Sequence, residues 1–211
     1  MTKIQEITSA IEAGRVKSVP DLVTAAVNEG ADPMEILNRG MIDAMSAVGE
    51  RFSRGEAFVP EMLVSARAMK LGVETLKPYL KKGAVGANGK VVIGTVQGDM
   101  HDIGKNLVAM MIESAGFEVI DLGVDVPAER FISAAKENEG VRIVALSTLL
   151  TTTMPSMQAI VSALNGMENR SSFRIMVGGA PVSAEFAEQI GADAYADDAA
   201  AAAAAARKWV L

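Results

Sequence analysis

The sequence of 211 residues contains no cysteine and a single histidine, His101. The absence of thiols excludes disulfides, iron–sulfur clusters and thiolate zinc sites from this chain. One imidazole cannot supply the two or three ligands of a histidine-rich zinc hydrolase, so we expect no zinc. Any imidazole chemistry must therefore be carried out by His101.

An excess of positive charge is also missing. The chain has 20 basic and 26 acidic side chains and a net charge of −6, which disfavours nucleic acid as a partner. No apolar run reaches the roughly 18 residues that a membrane-spanning helix needs, and residues 1–6 are too polar for a signal peptide. We expect a cytoplasmic protein that binds neither nucleic acid nor a membrane.

Residues 1–83 have the periodicity of four short amphipathic helices, which predicts a small helical bundle. Ser18 and Asp21 indicate a capping box at the start of the second helix, and Asp32 is the expected N-cap of the third. The predicted core face of the third helix consists of Met34, Leu37, Met41, Met45, Val48 and Phe52. The fourth is expected to begin near Pro60 and to bury Met62, Ala66, Met69, Val73, Leu76 and Leu80.

A glycine-rich stretch at residues 84–90 predicts a linker, and the period of the sequence changes after it. Short apolar or β-branched runs then alternate with helical segments over residues 91–211, which predicts a five-stranded, doubly wound parallel sheet. The expected strands are 91–93, 117–120, 141–146, 173–177 and 192–195. The expected helices are 104–115, 127–138, 154–167, 183–190 and 198–209.

Polar and small residues follow three of these strands, at 98–106, 147–153 and 178–180. Because parallel sheets bind ligands at the carboxyl ends of their strands, we expect the three loops to form one site. A flavodoxin-like domain could use the hydroxyl-rich loop for a flavin phosphate, and Lys105 with Asn106 could hold an anion at a helix N-terminus. The sequence contains neither a Walker loop nor a G-x-G-x-x-G motif, so nucleotide binding has little specific support.

Three spaced motifs in these loops together resemble one family. They are Asp99-x-His101-x-x-Gly104, Ser147-x-Leu149 and the pair Gly178-Gly179. They are similar to the cobalamin-binding domain of corrinoid-dependent methyltransferases and mutases, which has an α/β fold of the Rossmann or flavodoxin-like kind. The preceding bundle resembles the cap of methionine synthase and of small methyl-carrying corrinoid proteins of anaerobic methyltransferase systems.

The resemblance implies a role for each matching residue. His101 would replace the benzimidazole of cobalamin, or of a related corrinoid, as the lower ligand of cobalt, which is base-off/His-on binding. Asp99 would accept the other ring N–H, and Thr153 would take the relay position that is a serine in methionine synthase. The other implied cofactor contacts are Gly98, Met100, Asp102, Gly104, Ser147, Leu149, Thr151, Gly178, Gly179 and Ala199. In the cap, Phe52, Val59 and Asn38 would lie on the methyl side of cobalt.

The resemblance also implies a function, because cobalamin cycles between methyl-Co(III) and Co(I) and the protein controls its ligation and access. The chain would not be an enzyme alone but the methyl carrier of a methyltransferase system. It would shuttle the methyl group from a substrate-specific methyltransferase to a second methyltransferase acting on tetrahydrofolate or coenzyme M, with a corrinoid reductive activase as a further partner. The alternatives are a cobalamin storage or delivery protein and the cobalamin subunit of a mutase.

Overall fold

A computed structural model describes residues 2–80, 86 and 88–210. The chain forms two compact units. One contains Met1–Ala87 together with Glu113–Gly116, and the other contains Asn88–Ile112 and Phe117–Leu211. Residues 81–85 and 87, which belong to the predicted linker and its approach, lie outside the described residues. Lys90, which the sequence assigned to the linker, is the first residue of a strand.

The N-terminal unit is helical, as the periodicity of its sequence predicts. Its elements are α1 (Lys3–Glu12), α2 (Val19–Asn28), α3 (Pro33–Glu35), a π-helix (Ile36–Ile42), α4 (Asp43–Ser53), α5 (Val59–Leu76) and a 3₁₀ turn (Lys77–Tyr79). Asp32 caps α3 as expected, since its carboxylate accepts the Glu35 N–H at 3.1 Å. The largest buried side chains of this unit are Ile7, Ile11, Ile36, Met41, Met45, Met62 and Leu76.

Two details at the helix ends differ from the predictions. Ser18 forms no capping hydrogen bond, because its backbone is helical (φ −86°, ψ −26°) instead of extended, and the predicted capping box is therefore wrong. Leu80 does not continue the fourth helix, whose α-helical part ends at Leu76. Pro78 stands in the following 3₁₀ turn, and Leu80 has an extended backbone.

The predicted third helix contains a π-helical segment, Ile36–Ile42, between α3 and α4. It buries Ile36, Leu37, Gly40, Met41 and Ile42. Its buried face is therefore wider than the predicted core face, which included only Leu37 and Met41 of these residues. Met34 and Phe52, the first and last residues of the predicted core face of the third helix, are only partly buried.

The second unit contains the predicted α/β fold. Its strands are β1 (Lys90–Thr95), β2 (Glu118–Asp121), β3 (Val141–Ser147), β4 (Arg174–Gly178) and β5 (Ala194–Ala196). Its helices are α6 (Ile103–Ser114), of which the last two residues are grouped with the first unit, α7 (Ala128–Glu137), α8 (Met154–Asn165), α9 (Ala184–Ile190) and α10 (Ala199–Lys208). All neighbouring strands are parallel, in the order β2-β1-β3-β4-β5. The predicted doubly wound five-stranded sheet is therefore confirmed.

Both faces of the sheet are buried. Val92, Val144 and Val177 belong to a core cluster shared with α7, α8 and α9, whereas Ile93 and Met176, one residue away on their strands, are buried outside that cluster. The strand order reverses between β1 and β3, so the loops that leave these two strands diverge at the usual ligand-binding point of such a fold. The sequence motifs lie in these two loops and in the loop after β4.

Across the described residues, no helix combines the length and the apolarity that crossing a membrane requires. The cytoplasmic location expected from the sequence stays a prediction.

Candidate corrinoid site

The loop that follows β1 holds Asp99 and His101 in a fixed turn. Thr95, the last residue of β1, donates from Oγ1 to the His101 carbonyl oxygen at 2.8 Å. The Asp99 N–H donates to the Val96 carbonyl oxygen at 3.1 Å. Asp99 is fully buried, while the His101 side chain is 53% exposed. The loop therefore anchors its carboxylate inside the protein and presents its imidazole at the surface.

Asp99 is the centre of a hydrogen-bond cluster. Its Oδ1 accepts from the His101 N–H at 3.0 Å and lies 2.7 Å from His101 Nδ1. Its Oδ2 accepts from the Leu149 N–H at 2.6 Å, the Leu150 N–H at 3.3 Å and Thr148 Oγ1 at 3.0 Å. One carboxylate thus joins the loop after β1 to the loop after β3.

These donors determine the charge of Asp99. Burial by itself raises the pKa of this carboxyl, but the N–H groups of Leu149 and His101, the His101 ring and the Thr148 hydroxyl all stabilise the ionised form. Together they outweigh the burial, and the pKa of Asp99 lies well below its ordinary value. Asp99 is therefore an anion that can only accept hydrogen bonds.

The ionised carboxylate sets the tautomer of the histidine. Because Asp99 can only accept, Nδ1 of His101 must carry the proton that lies between them at 2.7 Å. In the neutral ring, Nε2 then has a free lone pair. Within the described part of the chain, Nε2 has no hydrogen-bond partner. This is the arrangement of a metal-binding histidine whose second nitrogen is fixed by a carboxylate.

Two buried threonines complete the cluster, and the sequence prediction found only one of them. Thr153, the predicted relay residue, places Oγ1 3.4 Å from Asp99 Oδ2 and 3.0 Å from the Leu150 carbonyl oxygen. Thr148 is closer to the carboxylate, and its Oγ1 lies 2.6 Å from that of Thr153. A hydroxyl directly after a strand end was the available signal for Thr148, but the hydroxyl-rich run 147–153 gave no reason to prefer it.

Asp125 is a second residue that the sequence prediction missed. Its carboxylate accepts the Gly98 N–H at 2.7 Å, and its own N–H donates to the Asp99 carbonyl oxygen at 2.9 Å. Among the described non-glycine residues, only Asp125 has a positive φ, of 53°. This left-handed backbone, which Asn and Asp tolerate better than most residues, allows the loop after β2 to hold the loop of Asp99 at two points.

We expect Asp125→Ala to destabilise the apoprotein by about 1–2 kcal/mol, since it removes the acceptor of the Gly98 N–H and leaves a non-polar residue in the left-handed region. Asp125→Asn keeps both an acceptor oxygen and the tolerance of this backbone, so we expect a smaller loss. Urea unfolding of the three proteins measures the difference, and amide exchange at Gly98 localises it. Equal stability and equal Gly98 exchange in all three would contradict this role.

Large apolar side chains are exposed on the loops around His101. Met100 and Ile103 are 69% and 82% exposed, and Leu149 and Leu150 are also exposed. Met100 and Leu149 were predicted contacts, whereas Ile103 and Leu150 were not. Exposure of these apolar side chains to water is unfavourable, and an apolar ligand that covered them would be stabilised by their burial. The imidazole and its apolar surroundings fit a corrin ring carrying a metal at its centre.

The two glycines at the end of β4, Gly178 within the strand and Gly179 after it, allow very close backbone contact. An added Cβ at Gly179, whose φ is +129°, would lie 1.8 Å from the Thr148 carbonyl oxygen. At Gly178 it would lie 2.8 Å from the Ala196 carbonyl oxygen. The Thr148 N–H donates to the Gly178 carbonyl oxygen at 3.2 Å. The loops after β3 and β4 therefore touch through backbone alone, in a way that only glycine permits.

Within the described residues, the remaining predicted contacts form no hydrogen bond with Asp99. Ser147 is the partly buried last residue of β3, Thr151 is exposed, and Asp102 accepts from Asn106 Nδ2 at 3.1 Å. Gly104 is exposed, with open space where a Cβ would stand, and Ala199 is buried in the first turn of α10. Their contacts with a cofactor stay predictions.

The anion site considered for Lys105 and Asn106 is wrong. Lys105 is buried, and its Nζ donates to Asp121 Oδ2 at 2.5 Å and to Asn106 Oδ1 at 2.6 Å. The ammonium group is therefore already neutralised inside the protein and is not available to an anion.

Three predicted contacts belong to the helical unit. Asn38 is exposed in the π-helix, Phe52 is partly buried in α4, and Val59 is exposed as the first residue of α5. Val59 has exposed apolar neighbours in Phe58, Leu63 and Val64. The described unit therefore presents apolar surface where Val59 was expected to face a cofactor.

Comparison with known proteins agrees with this geometry. The model of the B12 binding domain matches residues 89–205, and a second B12 binding domain model matches residues 3–77. The chain belongs to the B12-binding family. The resemblance inferred from the three motifs and the helical bundle is confirmed.

This B12-binding protein has relatives over nearly its whole length. It is 40% identical over 209 residues to dimethylamine corrinoid protein 1 of Methanosarcina acetivorans, covering 97% of this chain and 96% of the relative. It is 42% identical over 181 residues to trimethylamine corrinoid protein 1 of Methanosarcina mazei, covering 85% and 83%.

Solved structures agree. A cobalamin-binding protein from Desulfitobacterium hafniense aligns with a TM-score of 0.84 at 31% identity, covering 99% of this chain and 98% of that chain. The methanol:cobalamin methyltransferase complex MtaBC from Methanosarcina barkeri aligns with a TM-score of 0.83 at 31% identity, covering 99% and 79%. The chain is thus similar over nearly its whole length to a solved cobalamin-binding protein and to a chain of a cobalamin methyltransferase complex.

Proposed function

We propose that this protein binds cobalamin, or a related corrinoid, in the base-off form with Nε2 of His101 as the lower ligand of cobalt, and that it carries a methyl group between two methyltransferases. The observation that carries the proposal is the His101–Asp99 pair, because it leaves one ring nitrogen with a free lone pair at an exposed position. The near full-length similarity to methylamine corrinoid proteins supports the methyl-carrier role.

When bound, the cofactor supplies the chemistry, because its cobalt accepts and gives up a methyl group. The residues of the chain hold and orient it. Asp99 fixes the tautomer and the direction of the imidazole through the 2.7 Å contact. When Nε2 is not a ligand, the same carboxylate can stabilise a proton on the ring. Asp99, His101 and Thr153 are thus proposed to form a relay, in which Thr153 would take part through its hydroxyl.

The other predicted residues would hold the rest of the cofactor. Met100 and Leu149 would lie against the corrin ring, while Gly98, Asp102, Gly104, Ser147, Thr151, Gly178, Gly179 and Ala199 would surround its edge and its nucleotide tail. In the helical unit, Phe52, Val59 and Asn38 would lie on the methyl side of the cobalt.

The partners follow from the carrier role. We propose a substrate-specific methyltransferase as donor, a second methyltransferase acting on tetrahydrofolate or coenzyme M as acceptor, and a corrinoid reductive activase. The similarity to a chain of a methanol:cobalamin methyltransferase complex supports a methyltransferase partner, and the methylamine corrinoid relatives favour a methylamine as methyl source.

The proposal is tested by mixing the apoprotein with hydroxocobalamin, removing free cofactor by desalting, and recording the absorbance spectrum of wild type beside His101→Ala. We expect both proteins to retain cobalamin, with the histidine-ligated spectrum in wild type alone. The affinity of His101→Ala should fall by about tenfold, equivalent to about 1.4 kcal/mol, because the contacts of the ring and the tail remain.

Identical histidine-type spectra would remove His101 as ligand, and absence of binding by wild type would overturn the proposal. A carrier is distinguished from a storage protein by adding the acceptor methyltransferase to the methylated holoprotein. A carrier loses its methyl group to coenzyme M or tetrahydrofolate and keeps the corrinoid, whereas a storage protein gives up the corrinoid itself.

A further inference from the structure

The Thr148 hydroxyl stands between the Asp99 carboxylate and the Thr153 hydroxyl. Thr148 is 1% exposed, and its Oγ1 lies 3.0 Å from Asp99 Oδ2 and 2.6 Å from Thr153 Oγ1. Thr153 Oγ1 lies in turn 3.0 Å from the Leu150 carbonyl oxygen. The direct contact of Thr153 with Asp99 is longer, at 3.4 Å. The short route from Thr153 to the carboxylate therefore passes through Thr148.

The hydrogen bonds of these two hydroxyls can run in two alternative directions, here called orders. Each hydroxyl has one proton to donate, and the 2.6 Å contact between them uses one of the two. In the first order, Thr153 donates to Thr148 and Thr148 donates to Asp99 Oδ2. In the second, Thr148 donates to Thr153 and Thr153 donates to the Leu150 carbonyl oxygen, so that Oδ2 keeps only backbone donors. Because Asp99 is ionised and buried, the first order is the favourable one.

We propose that Thr148 is a positioning residue, which acts through Asp99 to hold the His101 imidazole in the orientation and tautomer that bind cobalt. This inference rests on the proposed role of His101 as the cobalt ligand. Thr148 and the Leu149 N–H hold Oδ2 from the side of β3, and this leaves Oδ1 to His101. The direction of the carboxylate, and with it that of the ring, depends on both sides being held.

Removal of the Thr148 hydroxyl should make the orientation of the His101 ring less fixed, although His101 itself is unchanged. In Thr148→Val the side chain keeps its shape, but Oδ2 loses its closest side-chain donor and Thr153 can reach it only over 3.4 Å. The carboxylate can then turn about its Cβ–Cγ bond, which lengthens the contact between Oδ1 and Nδ1. We expect a larger share of the tautomer that carries its proton on Nε2, which cannot bind a metal through that atom.

The experiment compares wild type, Thr148→Val and Thr148→Ser with Thr152→Val as the matched control. Thr152 is exposed in the same loop, and its hydroxyl has no hydrogen bond within the described residues. The first readout needs no cofactor: since the chain has one histidine, the ¹⁵N and ¹H NMR signals of the imidazole belong to His101 alone. The second readout is the cobalt(II) EPR spectrum of the reconstituted protein, in which a nitrogen ligand splits the lines.

In Thr148→Val we expect the Nδ1–H proton of His101 to exchange with water about tenfold faster. This factor corresponds to the loss of one hydrogen bond to a charged group. We also expect the Nε2–H tautomer to gain population and the nitrogen splitting to weaken. Thr148→Ser, which keeps the hydroxyl, should restore the wild-type values, and Thr152→Val should not change them.

A Thr148→Val protein with wild-type imidazole signals and wild-type nitrogen splitting would overturn the positioning role and leave the proposed function intact. If wild type itself shows no nitrogen splitting, the proposed function fails, while the NMR comparison still decides whether Thr148 orients the ring. Should Thr148→Val fold poorly, Thr148→Ser against Thr148→Ala provides the same comparison, and equal imidazole signals in those two would overturn the proposal.

Discussion

Replacing Asp99 by asparagine is expected to weaken the proposed ligation of cobalt by His101 by about 100-fold, the upper end of the range for residues that orient a metal ligand. The change keeps the size and shape of the side chain but adds two protons where the carboxylate only accepts. Oδ1 and Oδ2 of Asp99 each face two or more donors, so the amide nitrogen meets donors in either orientation.

The better orientation of the amide places its oxygen toward Leu149, whose N–H is the closest backbone donor at 2.6 Å. The amide nitrogen then faces Nδ1 of His101 and can be satisfied only if Nδ1 accepts. The ring proton must move to Nε2, and the lone pair that would bind cobalt is lost. Asparagine therefore selects the wrong tautomer while leaving the imidazole in place.

The measurement is again the His101 ring spectrum of the apoprotein, together with the absorbance of the cobalamin-loaded protein. We expect the Nε2–H tautomer to dominate in Asp99→Asn and the histidine-ligated spectrum to disappear. Asp21→Asn, on the exposed surface of α2, controls for the change of net charge. Unaltered tautomer and spectrum in Asp99→Asn would contradict the role of the carboxylate.

The same variant gives a pH-dependent difference in stability. The pKa of Asp99 is lower in the folded protein than in the unfolded chain, so its ionised form stabilises the fold above the ordinary carboxyl value of about 3.9. This contribution is lost as the pH falls below that value toward the folded-state pKa. The free energy of unfolding should therefore differ most between wild type and Asp99→Asn above about pH 5 and converge in more acidic solution.

Gly179→Ala is expected to destabilise the protein by more than about 4 kcal/mol, a size that single substitutions reach only through defined defects. The added methyl carbon would stand 1.8 Å from the carbonyl oxygen of Thr148, 2.8 Å from the carbonyl carbon and 3.1 Å from the backbone nitrogen of the same residue. All three are backbone atoms, so no side-chain rotation relieves the overlap. The loops after β3 and β4 must separate, which breaks the hydrogen bond between Thr148 and Gly178 and moves Thr148 away from Asp99.

Gly140→Ala is the matched control. Gly140 also has a positive φ, of +85°, but its Cβ would meet no atom within 4 Å. It precedes β3, at the end of the sheet opposite to the site. We expect a loss of about 1–2 kcal/mol there, which is the cost of a left-handed backbone for alanine, and normal cobalamin binding. Urea unfolding and cobalamin titration of both variants measure the difference; equal effects of the two would exclude the overlap as its cause.

The architecture was predictable because the strands and the helices have different patterns of apolar residues along the sequence. Strands buried on both faces, such as β3 with residues 143–146, give continuous apolar runs, and the helices between them give steps of three and four residues. The π-helix at Ile36–Ile42 was not predictable in this way, since its apolar residues also satisfy an ordinary helical pattern. The capping box at Ser18 failed because the motif fixes residue types and not the backbone angles that the hydroxyl needs.

The site was predictable where a motif names its members, and Asp99, His101 and Gly179 are such residues. Thr148 and Asp125 were not, because their roles depend on which loops meet in three dimensions. Asp125 follows β2 and reaches Gly98 only because β2 lies beside β1 in the sheet. A threonine among several hydroxyls and an aspartate in a turn do not differ in sequence from ordinary loop residues.

The Asp99 cluster has a thermodynamic consequence for ligand uptake. The donors that hold Asp99 come from two loops, and a third loop is joined to them through Gly178 and Gly179, all by contacts between residues of the chain itself. Because these contacts need only the chain, we expect the conformational entropy of the loops to be lost when the chain folds and not when a ligand arrives. Preorganisation of this kind leaves more of the contact energy as affinity. The heat-capacity change of binding should then reflect only the apolar surface that the ligand covers.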